Sequence, residues 1–120
     1  MSARVLIVDD DEMARSVLHK KLGECGYDVV EAIDGRQAVQ LLREDTIDLV
    51  ITDILMPEKD GLEIIMFLRK EQPEVKIIAI TGAAPASYLD SARSLGASRT
   101  FRKPFKLEDL AAAVEDLLSA

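Results

Sequence analysis

Carboxylate side chains follow two apolar segments of the sequence at the point where each segment ends. Asp9 and Asp10 follow residues 5–8, and Asp53 follows residues 49–51 after one intervening residue, Thr52. If these segments are neighbouring parallel strands, the three carboxylates converge, and two like charges 4 Å apart repel by about 1 kcal/mol in water and about 4 kcal/mol at an effective dielectric of 20. A cation is therefore expected among them. An all-oxygen site with room for water favours Mg²⁺ or Mn²⁺ over zinc.

A hydroxyl and an ammonium group follow two further segments. Thr81 comes after the apolar residues 75–80, and Lys103 comes after residues 98–102. Each is uninformative alone, since a single lysine is usually a solvated surface charge. Together with a divalent cation, they are the groups that stabilise an incoming phosphoryl group. Asp11 has a simpler interpretation as the N-cap of the following helix.

Five short segments have the composition of β-strands. Residues 5–8, 49–51 and 75–80 are almost continuously apolar, as expected of strands buried on both faces of a parallel sheet. Residues 27–32 and 98–102 mix polar and apolar side chains and are predicted to be edge strands. Helical periods separate the segments. The sequence therefore predicts an α/β fold, (βα)5, with a doubly wound five-stranded parallel sheet in the order 2-1-3-4-5. Ligands of such sheets bind at the carboxyl ends of strands 1 and 3, where the chain reverses direction.

Composition limits the classes of function. The 120 residues fit a single domain, 1–120, and an apolar content of 48% permits a real core. The formal charge of −7 disfavours direct binding to nucleic acid. No apolar run approaches the roughly 20 residues that span a bilayer, and the N-terminus lacks a signal-peptide pattern. The single cysteine, Cys25, cannot form an internal disulfide, which fits a cytoplasmic location, and we expect a buried or half-buried apolar residue there rather than a reactive thiol.

Five separated motifs in this order resemble the receiver domain of bacterial two-component response regulators. They are Val-Leu-Ile-Val-Asp-Asp, Asp53-Ile-Leu-Met-Pro, Asp60-Gly61, Thr81 and Lys103-Pro104-Phe105. The resemblance covers the chain from about Arg4 to Leu118. It implies a flavodoxin-like fold and a phosphoacceptor switch in a phosphorelay.

The resemblance also implies a role for each acidic residue. Asp53 would accept the phosphoryl group as a carboxylate nucleophile and form an acyl phosphate. Asp9 and Asp10 would hold Mg²⁺, with Asp10 and Asp53 as direct ligands. The backbone carbonyl of Leu55 would complete the protein's share of the metal ligands.

Other positions follow from the same resemblance. Lys103 would pair with Asp53 before the reaction and with the phosphoryl oxygens after it, and the Lys103–Pro104 bond is expected to be cis. Thr81 would swing in to hydrogen-bond the phosphoryl group, drawing the loop after strand 4 with it. Gly82 is small and would leave access to Asp53 open.

The expected partners are proteins. The phosphodonor would be a histidine kinase or a phosphotransfer protein that docks near helix 1, where Met13, Ala14 and Val17 are candidate exposed contacts; in the alternative interpretation they face the core. His19 is expected at the surface. The face formed by helix 4, strand 5 and helix 5 would carry the signal to an unknown downstream protein or output domain.

One position departs from the family pattern. The signalling aromatic usually lies three residues before the lysine, and Thr100 is found there. The neighbouring Phe101 is expected to point into the core. The usual coupling between hydroxyl and aromatic side chain is therefore in doubt, and Pro85 would stiffen the loop expected to move.

Three other functions compete with the phosphoacceptor interpretation. A hydrolase of the aspartyl-phosphate type needs an acid two residues after its nucleophile, and Leu55 cannot transfer a proton. Nucleotide or flavin binding lacks its glycine-rich motifs. A receiver that acts only as an interaction domain is the third alternative. We expect a phosphoacceptor rather than an enzyme, with at most slow Mg²⁺-dependent self-phosphorylation and autodephosphorylation. A free-standing receiver is preferred over one excised from a larger regulator.

Overall fold

A single parallel sheet organises the chain. The computed structural model describes residues 2–54, 61–82 and 85–119. The strands are β1 (Arg4–Val8), β2 (Asp28–Ala32), β3 (Leu49–Asp53), β4 (Lys76–Thr81) and β5 (Arg99–Arg102). They pair in parallel in the order β2-β1-β3-β4-β5. The predicted fold class, strand order and edge strands are confirmed.

A helix follows each strand. The helices are α1 (Glu12–Glu24), α2 (Gly35–Glu44), α3 (Gly61–Glu71), α4 (Ala86–Leu95) and α5 (Leu107–Ser119). The Asp11 side chain accepts hydrogen bonds from the backbone amides of Met13 and Ala14 at the start of α1, which confirms its predicted N-cap role. Asp34 caps α2 in the same way. Within the described residues, none of these helices has the length and apolar character needed to span a bilayer.

Two apolar layers cover the sheet. In β1, Leu6 and Val8 join a cluster with α2, α3 and α4, whereas Val5 and Ile7 join a second cluster with α1 and α5. The alternation follows from the two-residue period of a strand. Burying each such Leu, Ile or Val side chain fully contributes about 1.5–3 kcal/mol. Both faces of the central strands are therefore rigidly packed, which fixes the positions of the residues at their ends.

Cys25 differs from its prediction. The cysteine is exposed and has no disulfide partner. Its backbone forms the C-cap of α1, with the N–H directed at the carbonyls of Leu22 and Lys21, and the chain then turns through Gly26 at a φ of 96°. The helix thus ends at Cys25, and its side chain lies in the open groove between α1 and α5 rather than in the core. The expectation of a buried or half-buried residue was wrong.

Candidate functional site

Three carboxylates converge at the carboxyl ends of β1 and β3. Val8 lies opposite Thr52 in the parallel pairing, so the next residues, Asp9 and Asp53, leave the two strands side by side. One carboxylate oxygen from each of Asp9, Asp10 and Asp53 lies within 4.8 Å of the others. Asp9 and Asp53 are buried, whereas Asp10 is exposed. The predicted convergence is therefore present, with one side of the cluster open to solvent.

The Lys103 ammonium bridges two of these carboxylates. Its Nζ lies 3.2 Å from Asp9 Oδ2 and 3.3 Å from Asp53 Oδ2. Partial burial opposes the charged form of the lysine, but the charges and hydrogen bonds of Asp9 and Asp53 outweigh it and raise the pKa of Lys103. Lys103 therefore carries a proton at neutral pH and offsets part of the negative charge. The bond that follows it, Lys103–Pro104, is cis, as predicted.

Thr81 and Gly82 complete the rim. Thr81 is fully buried at the end of β4, and its backbone carbonyl accepts a hydrogen bond of 2.8 Å from the Lys103 amide. A Cβ added to Gly82 would lie 3.3 Å from Lys103 Cδ, so the glycine leaves space for the lysine stem. Thr81, Gly82, Lys103 and the aspartates line a cleft of about 260 Å³. The cleft is large enough for a phosphoryl group and several water molecules.

The donor set fits a hard divalent cation. Carboxylate oxygens from Asp9, Asp10 and Asp53 are the ligands that Mg²⁺ and Mn²⁺ prefer. A single ammonium cannot neutralise three carboxylates, and the exposed side at Asp10 leaves positions for water. Leu55, whose carbonyl was expected to be a further ligand, lies outside the described residues.

Gly61 keeps the start of α3 in contact with β3. Its amide donates a 2.9 Å hydrogen bond to the carbonyl of Ile54. A Cβ at this position would lie 2.4 Å from the Asp53 carbonyl oxygen and 2.7 Å from Ile54 Cα. Such contacts are closer than van der Waals packing allows, so only glycine fits without moving the backbone next to Asp53.

A charged network that the sequence did not predict lies beside the aspartates. Arg15 Nη1 donates to the Asp9 carbonyl at 2.8 Å, and Arg15 Nε donates to Glu31 Oε1 at 3.0 Å. His19 Nδ1 lies 2.6 Å from Glu31 Oε2. Burial tends to raise the pKa of Glu31, but the hydrogen bonds and charges of His19 and Arg15 lower it overall. His19 is half-exposed, so its expected surface position is confirmed only in part.

An exposed apolar face adjoins the cleft. Met13 is 76% exposed and Val17 is 45% exposed, which confirms the prediction for these two residues, whereas Ala14 is only half-exposed. A groove of about 420 Å³ runs from this face to Pro104 and Phe105. Lys103 lines both the groove and the acidic cleft.

The position of the expected signalling aromatic is polar. The Thr100 hydroxyl accepts a 2.8 Å hydrogen bond from Arg93 Nη2, which ties β5 to α4. Phe101 packs against the second core cluster, with its ring centroid 5.5 Å from that of Phe105. The prediction that Phe101 points inward is confirmed.

Comparison with known proteins gives a consistent result. Residues 5–115 match the family described as response regulator receiver domain. The response regulator MprA of Mycolicibacterium vanbaalenii is 38% identical over 118 residues, which cover 98% of this chain and 51% of MprA. The chain thus spans about half the length of the curated relatives that it matches.

Solved structures show the same relationship. A CheY-like receiver domain protein from Methanospirillum hungatei superposes with a TM-score of 0.94 at 27% identity, covering 99% of this chain and 95% of the other. The BeF3-activated receiver domain of DrrB gives a TM-score of 0.90 at 26% identity, with 100% of both chains covered.

Proposed function

Because this chain belongs to the response regulator receiver domain family of two-component signalling, we propose that Asp53 is its phosphoacceptor. Residues 1–120 would act as one domain. The observation that carries the proposal is the contact of a protonated Lys103 with both Asp9 and Asp53 at the mouth of an acidic cleft. Receiver domains are signalling switches rather than classical enzymes, and they generally bind Mg²⁺ at an acidic pocket.

The proposed chemistry is transfer from phosphohistidine. A carboxylate oxygen of Asp53 attacks the phosphorus, the phosphorus–nitrogen bond breaks, and the imidazole of the donor keeps the electron pair. The product is an acyl phosphate on Asp53. Asp10 and Asp53 would be direct ligands of Mg²⁺ with Asp9 in support, and bound Mg²⁺ would supply positive charge for the phosphoryl oxygens.

Lys103 and Thr81 respond to the added charge. A phosphoryl group brings about −1.5 to −2 charge to a site that is already acidic. Lys103, released from the Asp53 carboxylate, pairs with the phosphoryl oxygens, and the Thr81 hydroxyl donates a hydrogen bond to them. Thr81 ends β4 and immediately precedes the connection to α4, so its movement would displace the face formed by α4, β5 and α5. Slow self-phosphorylation and autodephosphorylation at the same site are part of the proposal.

Phosphorylation can be tested with small-molecule donors. The chain is incubated with Mg²⁺ and acetyl phosphate, and its intact mass is measured. We expect a gain of one phosphoryl group in the unmodified chain and in Asp34→Asn, and no gain in Asp53→Asn. Asp34 caps α2 and is not among the residues that line the cleft, and Asn at position 34 retains the helix cap, so this variant is a matched control. A gain that persists in Asp53→Asn, or no gain in the unmodified chain, would contradict the proposal.

Receiver domains interact with histidine kinases and output domains. We propose that a histidine kinase or phosphotransfer protein docks on the α1 face, because the apolar groove there is continuous with the cleft through Lys103. The downstream partner is a protein or output domain that reads the face formed by α4, β5 and α5. Such exchanges would occur in the cytoplasm, where a free thiol such as Cys25 stays reduced.

A comparison of a protein phosphodonor with a small-molecule phosphodonor separates effects on docking from effects on the chemistry. Met13→Glu is expected to slow transfer from an autophosphorylated histidine kinase about tenfold and to leave phosphorylation by acetyl phosphate unchanged. Met66→Glu is the matched control, since Met66 is 54% exposed on α3. Equal slowing by the two variants, or slowing with acetyl phosphate, would argue against docking on α1.

A further inference from the structure

The guanidinium of Arg15 joins the site to the edge strand β2. Building on the phosphoacceptor function above, we propose that Arg15 is a positioning residue that holds the turn carrying the metal-binding aspartates. The side chain is only 13% exposed and donates to the Asp9 carbonyl at the start of the β1–α1 turn. It touches neither the carboxylate oxygens assigned to the metal nor the cleft, so it acts through the backbone of Asp9.

Two hydrogen bonds from the rigid Arg15 guanidinium fix the position of the Asp9 carbonyl. Nη1 donates to the Asp9 carbonyl at 2.8 Å, and Nε donates to Glu31 Oε1 at 3.0 Å. Because a guanidinium is planar, the positions of these two donors cannot vary independently. The Asp9 carbonyl is thereby held at a set distance from the Glu31 side chain.

Glu31 is itself held from a second direction. Its other oxygen lies 2.6 Å from His19 Nδ1, and its backbone pairs with Ile7 in the sheet. Arg15 and His19 are four residues apart on α1, so they reach Glu31 from the same helix face. The Asp9 amide also donates to the Ala32 carbonyl at 3.2 Å. Both polar backbone groups of Asp9 are therefore tied to β2, directly or through Arg15.

The backbone position of Asp9 sets the direction of its carboxylate. Asp9 Oδ1 accepts a 2.9 Å hydrogen bond from the Asp11 amide, and Oδ2 contacts Lys103 at 3.2 Å. If Arg15 is removed, the turn gains freedom and the carboxylates of Asp9 and Asp10 are no longer arranged in advance for a cation. Mg²⁺ binding then weakens. The electrostatic effect of losing a positive charge has the opposite sign and would tighten Mg²⁺ binding.

Two substitutions separate position from charge. Arg15→Gln removes the charge and the two-donor fork, and Arg15→Lys keeps the charge but cannot hold both acceptors. Arg4→Gln is the matched control: it removes the 2.8 Å pair between Arg4 and Asp28, which joins β1 and β2 at the opposite end of the sheet. Mg²⁺ alone is titrated into ¹⁵N-labelled protein and followed by NMR. Asp10→Asn serves as the variant expected not to bind.

Both Arg15 variants are expected to bind Mg²⁺ about tenfold more weakly, at the lower end of the range for groups that support metal ligands. Before metal is added, both are also expected to shift the amide resonance of Asp11, which reports on the Asp9 carboxylate. Arg4→Gln is expected to change neither quantity, even if it lowers stability.

The outcomes distinguish this inference from the proposed function. If the unmodified chain does not bind Mg²⁺, or Asp10→Asn binds it as well, the proposed function fails. If the unmodified chain binds and Arg15→Gln binds equally or more tightly, the positioning role of Arg15 is overturned while the proposed function stands. Full binding by Arg15→Lys would overturn it as well, because charge alone would then suffice.

Discussion

Lys103 Nζ lies 3.3 Å from Asp53 Oδ2, although 50 residues separate the two along the chain. The same ammonium contacts Asp9, so one cation from the end of β5 serves two carboxylates from β1 and β3. The nucleophile proposed here is thus held by an ion pair before any phosphoryl group arrives. This arrangement makes the lysine important to the unphosphorylated fold as well as to the reaction.

Replacement of Lys103 by Met is expected to destabilise the metal-free protein. Breaking a fully buried ion pair costs about 3–5 kcal/mol, and we expect about 1–2 kcal/mol here because the lysine side chain is 31% exposed and solvent screens it. Urea unfolding without metal measures the loss. Lys106→Met, an exposed lysine three residues on, is the control and should leave the unfolding midpoint unchanged. Equal stability of the two variants would show that the Lys103 contacts do not contribute to the free energy of unfolding.

Replacement of Asp10 by Asn is expected to have opposite effects with and without metal. Lys103 pairs with Asp9 and Asp53, and Asp10 adds a third negative charge within 4.8 Å. Removing that charge should raise the free energy of unfolding by about 1 kcal/mol in metal-free buffer. It should also abolish the stabilisation that we expect Mg²⁺ to give the unmodified chain.

The measurement is thermal or urea unfolding with and without Mg²⁺, and Asp34→Asn, which keeps the cap of α2 and does not line the cleft, is the matched control. If Asp10→Asn unfolds more easily than the unmodified chain in metal-free buffer, charge repulsion is not the dominant effect at this position.

Alanine at Gly61 is expected to destabilise the protein, whereas alanine at Gly23 should stabilise it. A Cβ at position 61 would lie 2.4 Å from the Asp53 carbonyl oxygen, and overpacking of this kind costs about 1–3 kcal/mol. Gly23 has open space around its Cβ position and lies in α1, where alanine is favoured by about 0.5–1 kcal/mol.

Urea unfolding midpoints show whether each alanine variant is more or less stable than the unmodified chain. Gly61→Ala should also slow phosphorylation by acetyl phosphate, because the backbone next to Asp53 must shift. A Gly61→Ala variant with normal stability and normal phosphorylation would contradict the close approach of α3 to β3.

The contacts that Glu31 makes with Arg15 and His19 predict that the stability of the protein depends on pH. Although burial opposes ionisation, these partners lower the pKa of Glu31 below its ordinary value of 4.5. Its stabilising contribution is therefore complete above pH 4.5 and is lost as the pH falls through the lowered value. Glu31→Gln should reduce the free energy of unfolding at pH 6, and this difference should shrink as the pH falls from 4.5 through the lowered pKa of Glu31. Denaturation at several pH values tests this, and a constant difference between the two proteins would contradict it.

The fold and the convergence of the site residues were predicted well because both depend on where the apolar strands lie and which residues stand at their carboxyl ends. Asp9 and Lys103 come directly after β1 and β5, Asp53 is the last residue of β3, and parallel strands end at one edge. Once the order 2-1-3-4-5 is known, their proximity requires no side-chain detail. Apolar runs also distinguished the central strands from β2 and β5.

Other features depend on geometry that the pattern of residues does not encode. The contact of Arg15 with Glu31 requires the rotation of α1 about its axis and the register of β2 against β1, and charged residues on an amphipathic helix do not reveal either. Cys25 was predicted wrongly because hydrophobicity does not indicate where a helix ends. Its position at the C-cap of α1 directs it to solvent.

The location of Lys103 after the last strand has a consequence for synthesis of the chain. Asp9, Asp10, Asp53 and Thr81 all precede it, and β5 adds to the sheet at its far edge. A ribosome-bound or truncated fragment that stops before residue 99 carries the proposed acceptor Asp53 and the other carboxylates but lacks the ammonium that balances them. The charge-balanced site therefore forms only when the final strand has been added.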